Sequence, residues 1–480
     1  MASGQVEPED LVHVLSPKHR PEDELRAVCN STGQEDAFYL CDVDDIVRKM
    51  ALWRRLLPRV RPHYAVKCNS SRVVLNTLAA LGAGFDCASK GEIEEVLSLG
   101  VDPGRIIFAQ PTKPAGHIRY AAGRGLDLAT FDNEEELYKI RALHPKCRLV
   151  LRIRSDAENA KFCLGVKFGC DAVREAPRLL RTARDLGLQV VGVSFHVGSG
   201  CREEEAYSRA IRTARHVFDV AAGLGIQSMK LLDIGGGYPG ERDDEPVILK
   251  MADAINTSLA AHFPSADVDV ISEPGLYFVA SAFTLAANVH SKREVRNDFG
   301  DLEGVMYYIN DGVYGSFFDT LLQRHFVGRP LQDPGDAPLV RSSVWGPTCD
   351  GVDKLEEDVL LPLLELGSWM VYRSMGAYTI ALCGTFNGVP VPKVHAVASA
   401  ETWLLLKERA PFTDAHFTPS LASGRRHTSA SLVEPPRRLG LSLQAPTQAG
   451  DAMDTFYPPD LCRRGSLLDQ ADLAGSRPVF

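Results

Sequence analysis

The chain has 480 residues, 45% of them apolar and 24% charged. That is an ordinary globular make-up with room for two or three cores, and it excludes a fibrous repeat, wholesale disorder and a disulfide-stapled miniprotein. The net charge of −9 argues against a nucleic-acid partner held by overall positive charge, while eleven irregularly spaced cysteines, an opening stretch with no apolar signal core and the lack of an apolar run of about 18 residues read as a cytoplasmic protein with reduced thiols and no membrane span.

Residues 1–37 read as an N-terminal segment that adds strands to a later β domain. From 38 to 280, short apolar runs alternate with amphipathic stretches. The runs lie at Tyr64–Val66, Gly84–Phe85, Ile106–Phe108, Leu128–Ala129, Leu149–Leu151, Val190–Phe195, Leu231–Leu232 and Val268–Ile271. Between them, Ser89-Lys90-Gly91-Glu92 has capping-box spacing, and Asn133 precedes three acids that suit a helix N-terminus. The stretch 203–223 has helical spacing and then meets Gly223 and Gly225. Eight strand-then-helix units predict a closed parallel (β/α)8 barrel over 38–280, with an open doubly wound sheet as the alternative. Residues 281–407 read as a mostly β domain. Pro, Ser, Arg and Gly rise after that, so 408–480 reads as a mostly disordered tail. Arg463-Arg464-Gly465-Ser466 resembles a basophilic kinase site, and an unmodified tail is the plainer reading.

Functional groups of such a barrel collect past the C-terminal ends of its strands. Applied here, that rule selects Lys67, Asp86, Arg152, His196, the run Gly235-Gly236-Gly237 and Glu273. A Lys at a barrel mouth is a nucleophile or Schiff-base former once desolvated. Alone it is more often a surface Lys, as a lone His is more often a packed one. Three glycines let backbone N–H groups approach an anion, in the loop where this barrel usually holds phosphate. An acid can hold a pyridinium N–H. A Lys for an aldehyde, a His for a ring face, a phosphate loop and an acid for a ring nitrogen describe one cofactor, pyridoxal 5'-phosphate (PLP).

The chain resembles the eukaryotic ornithine decarboxylases over about residues 37–405. The resemblance is carried by Tyr64 to Asn69, Gly84 to Lys90, Val191 to Cys201, Asp233 to Gly240, Glu273-Pro274-Gly275, Asn310 to Phe317, Trp345 to Gly351 and Met375 to Thr379. It implies PLP fold type III, an alanine racemase-like barrel plus a C-terminal β domain, in a homodimer with shared active sites. It implies an amino-acid decarboxylase of polyamine metabolism. Lys67 would hold the cofactor, His196 would stack on its ring, and Glu273 would keep its nitrogen protonated. Ser199, Gly236, Gly237 and Tyr378 would hold the phosphate, Gly235 and Gly275 would also bind the cofactor, and Asp86 and Arg152 would support the Lys and cofactor environment. Cys349 would supply a proton, and Asp350 would meet the substrate side chain, both from the partner chain.

Two departures matter most. The family has Arg after Glu-Pro-Gly, where this chain has Leu276. The family has an acid that binds the distal ammonium of ornithine, where this chain, aligned without gaps, has Gln323 followed by Arg324. A buried ammonium would lose one of two acids, which favours a neutral or aliphatic substrate such as leucine over ornithine. Gln110, for a usual Asn, is milder. The tail also lacks the family's C-terminal degradation signal. The family includes inactive antizyme inhibitors, and the matching antizyme-binding stretch, 113–141, keeps Lys113, Arg119, Lys139 and Arg141. Retention of Lys67, Asp86, His196, Glu273, Cys349 and Asp350 favours an enzyme.

Overall fold

The eight apolar runs become eight parallel strands. The computed structural model describes residues 10–155, 157, 164–322 and 324–423. Two strands precede the barrel, β1 (Val12–Val14) and β2 (Phe38–Asp42). The barrel strands follow as β3 (Val60–Ala65), β4 (Gly84–Cys87), β5 (Ile106–Phe108), β6 (Leu128–Phe131), β7 (Arg148–Arg152), β8 (Gln189–Ser194), β9 (Leu231–Asp233) and β10 (Asp269–Ser272). They close in ring order, with β10 returning to β3 and Val270 opposite Val60.

Two of the helices between these strands start where a side chain satisfies a free N–H group. Ser89 Oγ accepts from Glu92 N–H, and the Glu92 carboxylate accepts from Ala88 N–H, which starts the helix Lys90–Ser98. Asn133 caps the helix Glu134–Leu143 through Glu136 N–H at 3.0 Å. Each such cap is worth about 1 kcal/mol. The helix Glu204–Gly223 ends at the glycine that the spacing marked.

Side chains of a strand alternate between its two faces. Ile107, Leu128, Val150, Val191, Leu231 and Ile271 form an apolar cluster of their own, apart from the large core that joins strands to helices. They are the inward residues of six strands and plug the barrel at mid-height. Two residues further along the same faces stand Thr130, Arg152, Asp233 and Glu273, with Asp86 beside Ile107 in the ladder. Period-two alternation therefore places the polar set on the plug, at the C-terminal mouth.

The second sheet is mixed. Its remaining strands are β11 (Phe283–Arg296), β12 (Leu302–Ile309), β13 (Arg329–Pro330), β14 (Leu339–Trp345), β15 (Lys354–Pro362), β16 (Trp369–Tyr372), β17 (Lys393–Ala398) and β18 (Phe417–Pro419). The order is β15-β14-β12-β11-β2-β17-β1-β18, with β16 beside β11 and β13. Two corrections to the sequence reading follow. Residues 38–42, counted there with the barrel, pair with β11 and β17. Residues 408–423 are not tail: β18 lies parallel to β1, with Phe417 opposite Val12. The kinase-like Arg463–Ser466 lies outside the described residues. Among the described residues no helix is long and apolar enough to cross a membrane.

Candidate active site

Lys67 sits in one 3₁₀ turn, Val66–Cys68, directly after β3. Its Nζ donates to Asp86 Oδ2. The Lys67 side chain is 44% exposed and that of Asp86 only 1%, so the amine faces the mouth and the acid lies beneath it. Burial lowers the ammonium's pKa, but Asp86, with Tyr378 and Glu273, outweighs it and the net direction is up. The amine is therefore stored as an ion pair, and Asp86 is placed to take its proton.

Glu273 follows β10 as Asp233 ends β9. Glu273 Oε1 and Asp233 Oδ2 are buried with no hydrogen-bond partner. Burial first, then repulsion from Asp233 and Asp86, pushes the Glu273 carboxyl far above its usual range. Burial likewise raises Asp233 to about 7. Gly235 N–H donates to Asp233 Oδ1 at 2.9 Å, and the two buried oxygens left without a donor fit a cationic ring N–H. Arg152 ends β7 with its guanidinium 5.3 Å from the Phe168 ring centroid. His196 is drawn down to about 3 by burial, helped by Arg152 and Lys67. Gly198 N–H donates to its Nδ1 at 3.0 Å. The ring is thus neutral, with its proton on Nε2, and suits stacking on a flat cofactor.

The glycine run is required by space and by backbone conformation. Gly235 and Gly237 have φ of +63° and +121°. A Cβ on Gly236 would lie 2.7 Å from Glu273 O, and one on Gly237 2.6 Å from Gly198 O. The carbonyls are tied back: Glu273 N–H donates to Gly235 O at 2.7 Å, Tyr207 OH to Gly236 O at 3.0 Å and Cys201 N–H to Gly237 O at 2.8 Å. The N–H groups of Gly236 and Gly237 have no acceptor among the described residues, which suits a phosphate. Ser199 lies in the adjoining loop between Gly198 and Gly200, both at positive φ. Gly275 packs its backbone on Cys68, where a Cβ would come within 2.9 Å of the Cys68 Cβ.

Leu276 opens the short helix Leu276–Val279 and lies partly buried against the core, with no donor to offer. Leu276→Arg is expected to tighten PLP binding about tenfold or more, since a charge-assisted hydrogen bond is worth about 1.5–3 kcal/mol. Titration of the PLP absorbance band measures it. Tyr378 is held at φ +54°, and its N–H donates to Cys68 O at 3.0 Å beside Lys67. Arg324 braces that segment, donating to Ser374 O at 3.0 Å and to Ala377 O at 3.2 Å while pairing with Asp319 at 3.4 Å. Gln323 lies outside the described residues. Gln110 O accepts from Lys113 Nζ at 3.0 Å.

Cys349 and Asp350 lie elsewhere, on the loop between β14 and β15. Cys349 is exposed, and its N–H donates to Asn387 Oδ1 at 3.1 Å. Asp350 accepts from Tyr314 OH and from Val352 N–H, bonds that hold its carboxyl below the usual range. Among the described residues no hydrogen bond, ion pair or ring contact joins this loop to the Lys67 cluster. Sequence reasoning gave no role to Asp233, Tyr314 or Asn387, and read Arg324 only as the cation that follows Gln323. Asp233 obeys the strand-end rule that selected the others and was findable. The roles of Tyr314, Asn387 and Arg324 carry no sequence signal, because their partners are distant in the chain.

The stretch 113–141 also needs a correction. Lys113 is buried, its Nζ 2.9 Å from Glu136 and 2.6 Å from Thr130 O. Lys139 pairs with the other Glu136 oxygen at 2.6 Å. Of the four expected cations, Arg119 and Arg141 are exposed and have no ion pair among the described residues.

Carboxyls that lack a cation, facing an amine and glycine N–H groups open to an anion, are what PLP asks of a protein. The class defined is that of the barrel-type pyridoxal-dependent decarboxylases, which are carbon–carbon lyases with an alanine racemase-like fold. The family profile for the pyridoxal binding domain of pyridoxal-dependent decarboxylases matches residues 43–280. Antizyme inhibitor 2 of Xenopus laevis is 48% identical over 78% of this chain and 84% of its own length. Ornithine decarboxylase of Rattus norvegicus is 45% identical over 82% and 88%. The arginine decarboxylase of Paramecium bursaria Chlorella virus, bound to agmatine, superimposes with a TM-score of 0.74 at 38% identity, over 78% of this chain and all of that one. The chain belongs to the ornithine decarboxylase family of PLP-dependent enzymes.

Proposed function

We propose that the protein removes the α-carboxylate from an L-amino acid at sites built by two copies of the chain, and that its substrate has a neutral aliphatic side chain such as leucine. The observation that carries the shared site is that, among the described residues, no hydrogen bond, ion pair or ring contact within one chain joins the exposed Cys349–Asp350 loop to the Lys67 cluster. A second copy would lay that exposed loop over the mouth. PLP supplies, when bound, the electron sink that lets a Cα–carboxylate bond break. Lys67 and Asp86 hold and pass the proton at Nζ. His196 offers a neutral ring face, Glu273 holds the proton at the ring nitrogen, and Gly236, Gly237, Ser199 and Tyr378 orient the phosphate. Cys349 Sγ from the second copy gives a proton to Cα once carbon dioxide has left.

The neutral substrate rests on Gln323 alone, with Asp350 as the one remaining acid. The relatives named above include ornithine and arginine decarboxylases, so the family default is a basic substrate. Carbon dioxide release across the amino acids decides. Leucine or a near relative is expected to outpace ornithine, and Gln323→Asp is expected to raise kcat/KM for ornithine about tenfold or more relative to leucine, by restoring a charged hydrogen bond. Equal or faster turnover of ornithine by the unaltered protein would overturn the neutral assignment.

The likeness to antizyme inhibitor 2 favours a second reading, a regulator that binds antizyme. Burial of Lys113 and pairing of Lys139 leave that face with fewer free cations. No retention by antizyme in a pull-down would end this reading.

A further inference from the structure

The other end of the barrel holds a cavity of about 660 Å³. It is lined by the first residues of the strands, among them Arg61, Gly84, Leu128, Arg148, Gln189, Leu231 and Asp269. The strands are all parallel, so this is the end opposite Lys67, with the apolar plug between the two.

Its charge is unusual for an acidic protein. Arg54, Arg61, Arg105, Arg148 and Lys230 line it, against one acid, Asp269. Arg61 reaches Asp269 at 3.4 Å, and Arg148 pairs with Asp127 at 2.9 Å. The other three form no ion pair among the described residues. Arg54 donates to Leu81 O, and Arg105 donates to Ala79 O and Ala83 O, which are neutral carbonyls; Asp102 nearby offsets part of the Arg105 charge. The Lys230 ammonium is exposed and has no partner among the described residues. Like charges crowded into a concave site repel unless an anion sits among them.

The inner wall has a second unfilled group. His63 is 8% exposed and lies flat on Gly84, where no Cβ would fit. Its buried Nδ1 has no hydrogen-bond partner of good geometry among the described residues, although a buried polar atom normally has one. Burial, with Arg61 and Arg105 nearby, draws its pKa down to about 4, so the ring is neutral. Around it the surface is the underside of the plug: Leu128, Val191, Leu231 and Ile271. The chamber is thus apolar with one orphan acceptor or donor at its depth, and cationic at its rim. Guanidinium forks match phosphate oxygens in geometry, and a cavity of several hundred Å³ suits a small molecule.

We propose that the N-terminal end of the barrel is a second binding site, for a nucleoside polyphosphate whose phosphates meet Arg61, Arg105 and Lys230 and whose base lies against His63 and the plug. The test uses the full chain saturated with PLP, so that the phosphate loop at the other end is occupied. ATP and inorganic tripolyphosphate are titrated by calorimetry. Both are expected to bind, ATP the more tightly, and both less tightly as salt rises. Arg61→Glu and Lys230→Glu, both at exposed positions, are each expected to weaken both probes about tenfold and to leave PLP binding unchanged. His63→Phe is expected to narrow the gap between ATP and tripolyphosphate. No binding of either probe to the unaltered protein, or binding unchanged in both charge reversals, overturns the site. Equal affinity for the two probes overturns the nucleoside assignment.

Discussion

Lys67→Ala is expected to abolish retention of PLP through dialysis and to lower decarboxylation by at least about 10³-fold, the scale on which loss of a group acting directly on the reacting centre is felt. The argument rests on position. Lys67 Nζ is the one amine of the mouth bonded to Asp86, and Asp86 is almost wholly buried with its second oxygen already unpartnered. Removing the ammonium leaves an uncompensated buried carboxylate, which destabilises the fold as well. Because Lys67 itself is 44% exposed, solvent softens that cost. Lys67→Arg separates the two effects. It keeps a cation against Asp86, so the thermal midpoint is expected to stay near that of the parent, while PLP retention and turnover are both lost. Retained activity in either variant would place the cofactor's anchor elsewhere.

Glu273→Gln carries the second large effect. The amide keeps the shape but cannot hold a proton on the ring nitrogen, and turnover is expected to fall by about 10²–10³-fold with PLP still bound. The cofactor-free protein should respond in the opposite sense. The Glu273 carboxyl in the folded state lies above its unfolded value, through burial and repulsion from Asp233 and Asp86. The folded state therefore binds more protons there than the unfolded chain, and stability is lost as pH rises from the unfolded value of about 4.3 through the raised folded value. Asp233, raised to about 7, adds to the same trend. Denaturant midpoints of the cofactor-free protein are expected to drop between about pH 5 and 8, and Glu273→Gln is expected to flatten the drop. A midpoint independent of pH in the parent would show that the two carboxyls already have a cation.

How much of this was readable in the chain depends on how local each feature is. The eight barrel strands were legible because each is a short apolar run bounded by turn chemistry, and Ser89 and Asn133 announced helix starts within four residues. Lys67, Asp86, Arg152, His196 and Glu273 were legible because parallel barrel strands all point their ends the same way. The outer sheet was harder. In β15 the acids Glu356, Glu357 and Asp358 interrupt the alternation, so the strand is recognisable only by its pairing with β14. β18, three residues long, exists because β1 lies beside it, some 400 residues away in sequence.

By itself, then, the sequence determined the barrel, its polar mouth and the kind of cofactor that mouth accepts, since period-two alternation and strand direction are properties of neighbouring residues. Tertiary structure decided the rest. It brought Asp233 beside Glu273, braced Tyr378 through Arg324, buried Lys113 against Glu136, tied Cys349 to Asn387 and Asp350 to Tyr314, and gathered five cations at the barrel's far end. Each of these is a contact between residues far apart in the chain, and the energy of a charge depends on what is folded around it.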